Sequence, residues 1–101
     1  MTRDELALAL AAEMGGDISV ETEKYLRGEH TRSFGLITEV AAIGSFLAQA
    51  AQLAIQIYQV RRDRGYLIAV LDEQAPSPAK IAPEKRRSMI ERLADILAKT
   101  K

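Results

Sequence analysis

The chain contains no cysteine and no tryptophan, a single histidine, two phenylalanines and three tyrosines. Without cysteine there can be no disulfide, no cysteine-ligated zinc and no thiol nucleophile, and the composition fits a reducing, cytoplasmic setting. The one histidine, His30, follows Glu29 and precedes Ser33 by three positions. Neighbours in sequence seldom converge on one atom, so in a polar loop this reads as a solvated side chain rather than an acid–base pair. A transition-metal site needs several convergent ligands, which one histidine and scattered carboxylates do not provide. No glycine-rich phosphate cradle is present. No catalytic, cofactor-binding or metal-binding residue is therefore assigned, and the chain is not expected to be an enzyme. Net charge is zero, with 14 basic and 14 acidic residues. A nucleic-acid partner is disfavoured, because its backbone calls for a basic surplus. Asp4 and Glu5 interrupt the apolar residues near the N-terminus, so no signal peptide is read there.

What the chain does have is one long uncharged stretch. Phe34 to Val60 holds most of the large apolar residues, and Val40 to Val60 carries no charge. It contains no proline and is rich in Ala, Leu and Gln, which predicts a helix of roughly 40 Å. Its polar residues are ordered. Thr38, Ser45, Gln49, Gln52, Gln56 and Gln59, with Asp63 beyond them, follow helical steps and fall within about 80° of one another. The remaining arc is apolar apart from Glu39. A helix apolar on most sides is buried in a core, in an assembly or in a membrane.

The flanking segments read as shorter helices. Thr2 and Glu5 form a capping-box pattern for a helix at about 3–14, ended by Gly15-Gly16. Asp17 or Ser19 can cap a second helix at about 20–27, closed by Gly28. Thr31 or Ser33 can cap the central helix, placed at about 34–62, with Asp63-Arg64-Gly65 as a break. Residues 66–73 suit either a buried helical turn or a short strand; the lack of a partner strand favours helix. A proline-containing linker follows at 75–82, and Pro83 opens an amphipathic helix at about 83–99. Met89, Ile90, Leu93, Ile96 and Leu97 form its apolar face. The expected fold is a single all-α domain, a small bundle of four to five helices around the long central one.

Three features invite a functional reading. Ala41, Gly44, Ala48, Ala51 and Ala54 make a small-residue seam at helical spacing, which permits close helix approach. Arg61, Arg62 and Arg64, and then Lys85, Arg86 and Arg87, form basic clusters that read as solvated helix surface. The glutamines are either a solvent-facing strip or a hydrogen-bonding seam that fixes register between chains.

Two resemblances can be drawn. The segment from Asp4 to about Ile43 resembles a Cro/repressor-type helix-turn-helix, although Glu21 and Glu23 would then face phosphates. From Leu6 to about Leu97, three stretches are similar to small helical accessory modules of bacterial multi-gene conflict (defence) systems. These are Gly15-Gly16-Asp17 with Ser19 and YLRGE, then EVAAIGSFLAQAAQLAIQIYQ, then PEKRRSMIERLADIL. That resemblance implies an adaptor or assembly part.

The expected function is a non-enzymatic protein–protein interaction module, self-associating through the central helix or docking a partner protein. The contact surface is placed on Phe46, Leu47, Leu53, Ile57 and Tyr58, with Gln49, Gln52 and Gln56 giving register. One alternative is a membrane-inserting effector with 40–60 in the bilayer and the arginines at its surface. The other is a helix-turn-helix regulator.

Overall fold

The computed structural model describes residues 1–28 and 38–100. They form five α-helices and no strand: α1 (Arg3–Met14), α2 (Gly16–Leu26), α3 (Glu39–Val60), α4 (Arg64–Gln74) and α5 (Pro83–Lys99). The fold is the expected all-α bundle. Its extents are 40 × 23 × 20 Å, and α3, about 33 Å long at 1.5 Å per residue, packs against each of the other four helices.

The capping box at the start of α1 forms as its residues suggest. The Glu5 amide donates to Thr2 Oγ1 at 3.2 Å, and the Thr2 amide donates to Glu5 Oε1 at 3.0 Å. The second helix differs from expectation. It begins at Gly16 rather than at 20, and neither Asp17 nor Ser19 caps it, because the N-cap is Gly15 itself. Gly15 has φ of +141°, a backbone conformation that side chains disfavour and glycine accepts. One residue therefore ends α1 and starts α2, and no loop is needed.

The central helix also starts and stops differently. Thr38, read above as the first member of the polar stripe, is its N-cap, and its Oγ1 accepts from the Ala41 amide at 3.1 Å. The expected caps Thr31 and Ser33, like His30 and Phe34, lie outside the described residues. The other end falls at Val60 instead of 62, because Arg61 and Asp63 are extended. That geometry lets Asp63 Oδ1 accept from the Tyr66 amide at 3.1 Å and cap α4. Gly65 is inside α4 and breaks nothing. The ambiguous segment is thus helix, with Leu67, Ile68 and Leu71 turned into the core.

The core gathers around α3. Ile43, Phe46, Leu47, Ala50, Ala51 and Ala54 meet Leu6 and Leu10 of α1, Leu67 and Leu71 of α4, and Ile90 and Leu93 of α5. The helix α2 packs differently, burying only Thr22 completely. It comes so close to α3 at Gly44 that a Cβ there would lie 2.9 Å from the Glu21 carbonyl carbon and 2.9 Å from the Thr22 amide nitrogen. The Thr22 hydroxyl inside this crossing is not left unpaired, because it donates back to the Ile18 carbonyl at 2.7 Å. This is the use to which the small-residue seam is put at Gly44.

The basic cluster on α5 is not wholly solvated. Arg86 is only 9% exposed. Its Nε donates to the Pro76 carbonyl at 2.8 Å and its Nη1 to Asp72 Oδ1 at 2.7 Å. Its Nη2 donates to the carbonyls of Asp72 at 2.7 Å and Ala75 at 2.8 Å. Those carbonyls belong to the last turn of α4 and the start of the linker, groups that a helix end leaves without internal partners. The planar fork of an arginine can reach all of them at once, which a lysine cannot. Ala75 and Ile81 of the linker are buried beside this clamp.

Candidate interaction surface

Packing decides which face of α3 remains available. Of the eight residues expected to make contacts, Phe46 and Leu47 are fully buried and Ile57 is 8% exposed. All three belong to the chain's own core, so they are withdrawn from the contact surface. Their apolar flanks are covered by the chain's own helices. Leu53 and Tyr58 are half-buried and lean on that core. Gln49, Gln52 and Gln56 are exposed, as is Gln59. The glutamine stripe is thus the outer face of α3 in the single chain.

The stripe has internal order. Gln49 Nε2 donates to the Tyr25 hydroxyl at 3.2 Å and to Ser45 Oγ at 2.9 Å. This bond ties the middle of α3 to the end of α2 and orients Gln49 along the strip. Beside it lies an open groove of 360 Å³ lined by Arg3, Tyr25, Ala48, Gln49, Gln52 and Leu53. At the far end stands Val60, 80% exposed. Sequence reasoning missed Tyr25 and Arg3, which reach the groove only through the packing of α2 and α1. Val60 had a visible signal, as the last apolar residue before three arginines.

The basic cluster at the end of α3 is largely resolved into pairs. Arg61 lies over the Tyr66 ring, 5.0 Å from its centroid, and approaches Asp63 at 3.5 Å. Arg64 donates to Asp95 of α5 at 2.5 Å. That hydrogen bond, with the positive charges of Arg64, Arg92 and Lys99 nearby, holds the Asp95 carboxyl below the usual carboxylate range. Glu5 is held low in the same direction by the Thr2 amide and hydroxyl. A carboxylate with a lowered pKa stabilises the fold above its unfolded-state value, and that contribution fades as pH falls towards the folded-state value. Asp95→Asn should therefore cost stability at neutral pH and flatten the acid limb below about pH 4. Urea titrations at neutral pH and at about pH 3 test this; parallel losses at both would show that Asp95 is not a source of the acid sensitivity.

Among the described residues, no three His, Asp or Glu side chains come together as a metal site would need. Glu39–Val60 is long and apolar enough to cross a membrane, and more than half of its most apolar window is buried inside the bundle. Core helices pass the same test. The connection between α1 and α2 is one residue, shorter than the three- or four-residue turn of a DNA-binding helix-turn-helix. Compared with protein-family models, curated proteins and solved structures, the chain matches none.

Proposed function

We propose that this chain is a non-enzymatic assembly module that self-associates through the outer face of α3. The observation that carries the reading is electrostatic. Charged residues make up 28% of the chain, and α1, α2, α4 and α5 all turn charged side chains to water. From Val40 to Val60 the longest helix presents none, and its exposed positions are Gln49, Gln52, Gln56, Gln59 and Val60. Loss of charge is what distinguishes the centre of a protein interface from ordinary surface. The resemblance to accessory modules of bacterial defence systems supports an adaptor role in a cytoplasmic assembly.

The test is light scattering coupled to size exclusion, with the membrane pellet assayed in parallel. The wild-type chain is expected in solution at a discrete multiple of its own mass. A Gln52→Arg/Gln56→Arg variant is expected at the single-chain mass with its helicity unchanged, since both side chains already stand in water. An unaltered multiple would remove this face from the assembly. Recovery only from a detergent-extractable pellet would favour α3 as a membrane segment instead.

A further inference from the structure

We infer that the occupant of this face is a second copy of the chain, packed antiparallel about a two-fold axis, with Val60 of each copy seated in the groove beside Tyr25 of the other. The inference rests on the self-association proposed above and specifies its geometry.

The outer face of α3 carries both halves of a joint. Val60 is the most exposed large apolar side chain among the described residues. The groove lined by Arg3, Tyr25, Ala48, Gln49, Gln52 and Leu53 is open and partly apolar. Val60 and Gln49 are eleven residues apart. On a regular helix that separation leaves them within about 20° of the same direction and about 16 Å apart along the axis. A two-fold axis normal to the helix and midway between them exchanges the two positions. It carries each Val60 onto the other copy's groove, as a closed isologous interface requires. The same operation brings Gln52, Leu53 and Gln56 of both copies together near the axis, where amides can donate to and accept from one another.

The two-fold axis requires the antiparallel sense, and the charges agree with it. Arg61, Arg62 and Arg64 stand at the C-terminal end of α3, where Asp63 and Asp95 pair with Arg61 and Arg64 and Arg62 is exposed. Parallel pairing would set two such clusters side by side, whereas antiparallel pairing places them at opposite ends. It also opposes the two helix dipoles. Between the ends the glutamine strip itself carries no formal charge, and Arg3 at the edge of the groove is engaged by Asp4 at 3.0 Å.

Because the chain has no native cysteine, single cysteines report the arrangement directly. Gln49→Cys and Val60→Cys variants, mixed in equal amounts and oxidised, are expected to cross-link one to the other. Neither is expected to cross-link efficiently alone. Val60→Asp should weaken the dimer about 100-fold, since each dimer buries two copies of this side chain. Its circular dichroism should be unchanged, because the side chain stands in water in the single chain. A dimer that tolerates Val60→Asp, or that joins Val60→Cys to itself, overturns this arrangement while leaving self-association intact. A wild-type chain that stays at its single mass at every concentration overturns both.

Discussion

Replacing Arg86 with methionine is expected to lower the unfolding free energy by about 3 kcal/mol, the low end of what breaking a buried ion pair costs. This guanidinium donates four hydrogen bonds, three to backbone carbonyls and one to the Asp72 carboxylate. Methionine matches much of the aliphatic stem and removes every donor, so the loss reports on the polar clamp rather than on a cavity. The Asp72 side chain is 39% exposed, so water can take over part of its demand, and that argues for the low end of the range. The carbonyls of Ala75 and Pro76 are held against the buried side of the linker, where an unpaired acceptor costs about 1–3 kcal/mol. Arg86→Lys should recover little, because one ammonium cannot span the same acceptors. Urea denaturation of the two variants checks this. A loss below about 1 kcal/mol for the methionine variant would mean that the clamp is replaced by solvent at no cost.

The second large effect is at Gly44. In most helix interiors Gly→Ala stabilises by about 1 kcal/mol through backbone entropy. Here the sign should reverse. A Cβ at 2.9 Å from two backbone atoms of α2 cannot be absorbed by turning a side chain, so the two helices must separate. Overpacking of this kind costs about 1–3 kcal/mol, and Gly44→Val, which adds a branched side chain at the same crossing, should cost more. Gly16→Ala is the matched control, because nothing lies within 4 Å of a Cβ there. It should be neutral or mildly stabilising. Thermal melts of the two alanine variants would refute the close crossing if Gly44→Ala proved as stable as Gly16→Ala.

Neither of these two sites is signalled by residues close to it in sequence. The helices themselves were legible, because apolar periodicity, Thr2 with Glu5, and Pro83 are local signals written within a few residues. The glutamine stripe was legible for the same reason. Arg86 was not, because a basic residue flanked by Lys85 and Arg87 has every sequence mark of a solvated face. Only the meeting of α4's end with α5 buries it. Likewise the apolar arc of α3 was visible in full, but which part of it the chain would cover was not. Phe46, Leu47 and Ile57 look no different in sequence from a residue left for a partner. The start of α2 carries no local signal, because Gly15 does the work of a whole loop through one unusual backbone angle. Val60 shows the reverse limit: its apolar character was plain, but its exposure depends on where α3 ends.

The Arg86 clamp also bears on the order in which the chain assembles. Arg86 reaches Asp72 across 14 positions of sequence, whereas the ion pair that ties Arg92 of α5 to Glu13 of α1 spans 79. Loop-closure entropy makes the shorter ring cheaper by about 1.5 kcal/mol. The α4–α5 corner can therefore close early, and the seal of α1 onto α5 comes late. The methionine variant at Arg86 should then show its loss mainly as slower refolding. If the loss appears only as faster unfolding, the corner is a late latch instead of a nucleus.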